Sequence, residues 1–203
     1  MPIYTTLDFL RHGEPVGGKR YRGQTDDPLS EKGWAQMCAA TAGARPWMAI
    51  VSSPLSRCRV FAEWLSGVAA IPLRIDAKLA EVGFGAWEGH TAEEINRDSP
   101  DAVFDFKCDP SGLRPEGAEA LDAFSARVAT AYERIVSQHK GEHVLVVAHA
   151  GVMRMALSHV LGLPPERAYR INVGSSGMAR IRIEHRGTKR LDTLMWLSKG
   201  SGG

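Results

Sequence analysis

The chain has 203 residues, 44% of them hydrophobic, with 25 basic against 23 acidic side chains and a formal net charge of +2. That length supports one good core and not two large domains, so residues 1–203 are expected to form a single domain. The even charge balance excludes the global bias of a nucleic-acid or membrane-surface binder, so any anion site must be a local cluster. No apolar run is long enough to span a bilayer, and the N-terminal MPIYTTLDFLRHG lacks the pattern of a secretory leader. Cys38, Cys58 and Cys108 form no CxxC pair, which argues against a disulfide framework or zinc knuckle and fits a reducing cytoplasm.

In chain order, Thr5 to Leu10 reads as a strand feeding the loop at Arg11-His12-Gly13. Gly17 to Pro28 reads as a loop, and Ser30-Glu31-Lys32-Gly33 opens a helix to about Ala42. Met48 to Ser52 is a buried-type strand; Ser53 and Pro54 then supply the cap and first-turn proline of a helix reaching about Ser66. Pro72 to Ile75 is a short strand, Glu81 to Gly89 a loop, Thr91 to Arg97 a short helix, and Asp98 to Pro115 irregular. Ala118 to Lys140 carries a helical apolar face of Leu121, Phe124, Val128, Ala131, Tyr132 and Ile135. His143 to Val147 is continuously apolar and so a central strand, followed by a helix from Gly151 to Leu161. Ala168 to Val173, Met178 to His185 and Arg190 to Leu197 read as closing strands, and Lys199 to Gly203 as a flexible tail. Strands alternating with helices give an α/β sandwich on a largely parallel sheet.

In such sheets, ligands bind beyond the carboxyl ends of the strands. Three apolar strands end in polar residues: Arg11-His12-Gly13, Ser52-Ser53-Pro54-Leu55-Ser56-Arg57 and Ala148-His149-Ala150-Gly151. If those strands are neighbours, two histidines and two arginines share one crevice. Arginine forks and helix N-termini suit a compact dianion. A neutral histidine held in one tautomer is a competent nucleophile towards phosphorus. A leaving alkoxide needs an acid, and Glu81 stands at a loop start beside aromatic residues, with Glu88 as a competitor in the same loop. No Walker motif is present, and the His139–His143 spacing is broken by Gly141, so no metal pair is read there.

Four segments carry a family resemblance: Leu10-Arg11-His12-Gly13-Glu14, Ser52-Ser53-Pro54-Leu55-Ser56-Arg57-Cys58, Glu81 to Gly89, and Val146-Val147-Ala148-His149-Ala150-Gly151-Val152. Together with the loop Arg20 to Ser30 they resemble the histidine phosphatase (phosphoglycerate mutase-like) superfamily over nearly the whole chain. The resemblance implies a three-layer α/β/α sandwich and a phosphoric monoester hydrolase of the histidine acid phosphatase type that needs no metal and no cofactor. It implies His12 as the nucleophile, Arg11, Arg57 and His149 as ligands of the phosphoryl oxygens, and Glu81 as the acid and then base. Glu88 becomes a structural carboxylate.

Mutases of the superfamily carry longer loops and an asparagine after their RHG, where this chain has Glu14-Pro15-Val16-Gly17-Gly18-Lys19. Gly17 or Gly18 could offer backbone donors instead. A shorter lid favours water as acceptor, hence hydrolysis. The loop at Phe84 to Gly89 and the segment Arg114 to Glu119 are similar to α-ribazole phosphatases, which makes α-ribazole 5'-phosphate one candidate substrate. A mutase and a catalytically idle sensor of phosphorylated ligands are the alternatives. Candidate substrate contacts are Arg20, Tyr21, Arg22, Gly23, Trp87 and Arg114. Cys58 is assigned no chemistry, and His90, His159 and His185 read as structural or surface residues. The expected partner is a small phosphorylated metabolite, with neither nucleic acid nor membrane; pairing into a homodimer stays open.

Overall fold

A computed structural model describes residues 1–43 and 45–200. One six-stranded sheet runs in the order β3-β2-β4-β1-β5-β6. Its strands are β1 (Ile3–Arg11), β2 (Ala49–Ser52), β3 (Leu73–Ile75), β4 (His143–Ala148), β5 (Met178–Arg186) and β6 (Lys189–Leu197). The first four are mutually parallel; β5 adds antiparallel to β1, and β6 antiparallel to β5. The helices are α1 (Glu31–Ala40), α2 (Ser56–Ala69), α3 (Ala92–Asp98), α4 (Ala102–Cys108), α5 (Leu121–Gln138) and α6 (Ala150–Leu161).

Period-two alternation sends successive strand residues to opposite faces. Leu7 and Phe9 of β1 with Val144 and Val146 of β4 face α5 and α6, where Phe124, Val128, Tyr132 and Leu157 complete one core. Leu10, Ile50, Leu145 and Val147 face the other way, against Met37 of α1 and Phe61 and Leu65 of α2. Each fully buried side chain of this kind contributes roughly 1.5–3 kcal/mol. The result is the expected three-layer sandwich, with β4 in the interior of the sheet and both its faces covered.

The register positions the site. Arg11 lies opposite Ala148 and Ser52 opposite Val147. Just past those pairs, His12 N–H donates to Ala148 O at 3.0 Å and Ser53 N–H to Val147 O at 3.0 Å. The residues that follow β1, β2 and β4 are therefore held at one level by backbone bonds.

Several local expectations need correction. Ser53 does not cap α2: the helix begins at Ser56 with Leu55 before it, and the Ser53 hydroxyl turns to His149. Residues 102–108, expected to be irregular, form α4, which buries Val103 and Phe106 at helical spacing. Ala168 to Val173, expected as a strand, does not form one: residues 165–170 form a 3-10 helix, for which Pro164 and Pro165 preset the backbone at its start. The supposed tail is anchored where it is described: Gly174 N–H donates to Lys199 O at 3.0 Å. Its last three residues, 201–203, lie outside the described residues.

Candidate active site

His12 leaves the end of β1 with its ring buried. Its Nδ1 lies 2.7 Å from Gly13 O. A carbonyl only accepts, so Nδ1 carries the proton and Nε2 keeps its lone pair. Burial, then the charges of Arg11 and Arg57, hold the ring well below the usual histidine range, so it stays neutral. Gly13 itself is a packing requirement: a Cβ there would lie 2.0 Å from Gly33 O at the start of α1.

The His149 ring stands edge-on to His12, with centroids 5.2 Å apart, and is completely buried. Its Nε2 meets Ser53 Oγ at 2.6 Å, a contact in which either partner can donate. Burial and the neighbouring Arg57 lower its pKa as well. Cys58, assigned no chemistry from the sequence, packs against this ring with Sγ 3.6 Å from Nε2 and donates to Ala148 O. Burial pushes its thiol far up, so Cys58 stays protonated.

Arg11 and Arg57 flank the histidines. Arg11 Nη1 donates to Val173 O, and Arg57 donates from Nη1 to Thr25 O and from Nη2 to Gly23 O. Each keeps a buried Nε–H that has no partner among the described residues. Leaving such donors unpaired costs about 1–3 kcal/mol each, more when charged. Two buried, unpaired arginine donors thus share a cavity with the His12 ring, whose Nε2 lone pair hydrogen-bonds to no described residue.

Glu81 reaches the same place from the opposite side. Its Oε1 accepts from Val82 N–H at 3.0 Å and its Oε2 from Gly151 N–H at 3.1 Å, in the first turn of α6. A Cβ on Gly151 would lie 2.3 Å from Glu81 Oε1, so glycine there makes room for the carboxyl group. The loop is clipped from behind by Arg127 of α5, which donates to the carbonyls of Lys78, Ala80 and Glu81. Arg127 also pairs with Glu119, whose Oε2 accepts from Gly83 N–H. Glu88 is the structural carboxylate expected: it accepts from the backbone N–H groups of Gln24, Thr25 and Phe84, welding two loops together.

Arg11, His12, Arg57 and Glu81 line one cavity of about 550 Å³, with His149 packed behind His12. Arg20, Tyr21, Arg22 and Gly23 line it too. Arg22 is neutralised by Asp27 at 2.8 Å, and Gly23 serves through its carbonyl. Trp87 and Arg114, expected on the substrate side, are not on the wall. Trp87 packs behind Tyr21 and Phe106, and Arg114 lies over Phe106 with Nη1 bonded to Pro110 O. Arg154, Tyr169 and Asn172 do line it and escaped the sequence reading. Helical spacing could have found Arg154, because it stands one turn after Ala150 on the same face of α6. A larger cavity of about 670 Å³ lies between α1 and β6 and holds none of the histidines. Among the described residues no group of three or more His, Cys, Asp or Glu side chains could hold a metal ion. No described helix is long and apolar enough to cross a membrane.

Comparison with known proteins gives a consistent picture. A family model described as the histidine phosphatase superfamily (branch 1) matches residues 7–195. A bifunctional protein of Mycobacterium tuberculosis is 33% identical over 180 residues, covering 86% of this chain but only 49% of that protein. The chain thus spans about half the length of that relative. Glucosyl-3-phosphoglycerate phosphatase of the same organism is 33% identical over 170 residues, 78% of this chain and 76% of the relative. A solved structure of the mycobacterial enzyme of that name superposes with a TM-score of 0.85 at 28% identity, over 98% of this chain and all of that one. An α-ribazole phosphatase from Shigella flexneri, at 24% identity and a TM-score of 0.79, covers 98% of each chain and shares the fold.

Proposed function

The chain belongs to the histidine phosphatase superfamily, and from that premise we propose that it hydrolyses a small phosphomonoester by way of a phosphohistidine on His12. The observation that carries the reading is the neutral His12 Nε2 lone pair set beside two buried arginine Nε–H donors that have no partner among the described residues. In the first step the Nε2 lone pair forms an N–P bond while the P–O bond to the leaving group breaks. Glu81 gives its proton to the departing oxygen. In the second step Glu81 takes a proton from water, the water oxygen bonds to phosphorus, and the N–P bond returns its pair to Nε2. Arg11, Arg57 and His149 hold the equatorial oxygens as charge spreads over them.

The substrate is a small phosphorylated metabolite, and neither nucleic acid nor a membrane is required. Two leaving groups are the first to try. Glucosyl-3-phosphoglycerate follows from the relative above, and α-ribazole 5'-phosphate from the loop resemblance. An idle sensor has no use for Glu81, whose bonds to Val82 and Gly151 hold it toward His12. The free cysteines fit a reducing, cytoplasmic compartment.

The test is phosphate release from an aryl phosphate in excess EDTA, wild type against His12→Ala. Activity that survives EDTA and disappears in the variant is expected. Activity retained by His12→Ala, or an isomerised ester in place of free phosphate, would overturn the reading.

A further inference from the structure

The cations around the cavity differ in whether the protein already answers them. Arg22 pairs with Asp27 and Arg20 with Glu94. The two carboxylates on the wall are also engaged: Glu14 with Lys32, and Glu81 with backbone N–H groups. Arg154 has no acidic partner among the described residues. Its Nε donates to Ile171 O at 2.9 Å, and its guanidinium lies over the Tyr169 ring at 5.3 Å. Neither Nη group hydrogen-bonds to an acceptor among the described residues. Lys107, in the last turn of α4, likewise has no acidic partner among the described residues.

Tyr169 connects the two. Its ring packs against Phe106 at 4.9 Å, the residue next to Lys107. The Tyr169 hydroxyl and the Asn172 amide share this wall and hydrogen-bond to no described residue. Arg154 also stands close enough to Arg11 that, after burial, its charge is the largest influence lowering the Arg11 pKa to about 10. Glu81 is the carboxylate that acts on Arg11, and Arg154 has no ion-pair partner of its own among the described residues, so the cavity favours a ligand that brings a second anionic group. The phosphoryl group answers Arg11 and Arg57. A neutral leaving group would leave Arg154 unanswered.

We propose that Arg154, Tyr169 and Asn172, with Lys107 at the mouth, form a second anion subsite that binds a carboxylate on the leaving group of the phosphomonoester. This rests on the phosphatase reading above. The free Nη pair of Arg154 presents two donors along one edge, which fits the two oxygens of a carboxylate. The Tyr169 hydroxyl and the Asn172 amide supply further donors on the same wall.

The experiment compares two substrates that differ only at that group, 3-phosphoglycerate and glycerol 3-phosphate, with an aryl phosphate as a control for turnover. Wild type is expected to favour the carboxylate substrate in kcat/KM by roughly 10- to 100-fold, the range of one charge-assisted hydrogen-bonded pair. Arg154→Met should bring that ratio close to one, and Arg154→Lys should restore part of it. Asn172→Asp, nearly unchanged in volume, should also lower the ratio by placing a like charge on the wall. A wild-type ratio near one, or a ratio indifferent to Arg154→Met, removes the subsite while leaving the phosphatase reading intact. Absence of turnover on all three substrates removes both.

Discussion

At the floor of the cavity Arg11 ends β1, His12 and, behind it, His149 follow β1 and β4 in a register fixed by backbone bonds, and Arg57 sits in the first turn of the helix after β2. All but Arg11 are buried below a tenth of their surface. On the rim, Arg20, Tyr21, Lys107 and Arg154 come from a loop, a two-turn helix and the cavity side of α6, and each keeps part of its surface in water. The difference separates chemistry from selection. A floor built on sheet register can move only if the core moves. A rim built on loops can change residue by residue, so the substrate is decided where the fold constrains least.

The contrast can be broken most severely at Arg57. Arg57→Ala deletes a buried donor and frees the carbonyls of Gly23 and Thr25. We expect kcat/KM to fall by roughly 10²–10³ and vanadate inhibition to weaken in parallel. Unchanged vanadate inhibition would take Arg57 off the phosphoryl oxygens.

Gly151→Ala tests the junction between floor and acid loop. The new methyl collides with Glu81 Oε1 and comes within 3.2 Å of Phe124. Hydrolysis of alkyl phosphates, whose leaving group needs the proton, should drop by about 10²-fold, and aryl phosphates by much less. Equal losses on both would mean that Glu81 is not the acid.

The floor also sets a pH dependence. His12 and His149 have native pKa values depressed below the ordinary 6.5, so below that pH the unfolded chain binds protons that the native state refuses. Stability is complete above about pH 6.5 and declines as pH falls towards the native values. Thermal unfolding between pH 7.5 and 5 should show Tm falling on the acid side, with a shallower fall in His149→Gln. A Tm independent of pH over this range would contradict two buried neutral histidines.

The smallest effect is expected on the rim. Tyr21→Phe removes a hydroxyl that bonds to no described residue while keeping the ring contacts to Phe84 and Trp87. Aryl phosphate kinetics should change by less than about 3-fold. A large loss would draw Tyr21 into the floor.

The same division explains what the sequence disclosed. The apolar runs ending at Arg11, Ser52 and Ala148 are unambiguous, and adjacency of their strands brings the site together without further information. Ser53 was misread because a serine before proline looks like a helix cap, and only the tertiary contact with His149 reveals its other use. Helix α4 hid among Asp and Pro residues because its two buried positions, Val103 and Phe106, are too few to show a period. Arg154 and Arg127 were not singled out in the sequence, because what they meet lies outside their own helices, at Ile171, Lys78 and Ala80.

The central claim is that His12 carries the phosphoryl group. The direct measurement is rapid quenching of the enzyme with a radiolabelled phosphomonoester, followed by mapping of the labelled peptide. We predict label in an acid-labile, alkali-stable linkage on His12, appearing faster than phosphate is released and missing in His12→Ala. Label on another residue, or label that persists in His12→Ala, would contradict it.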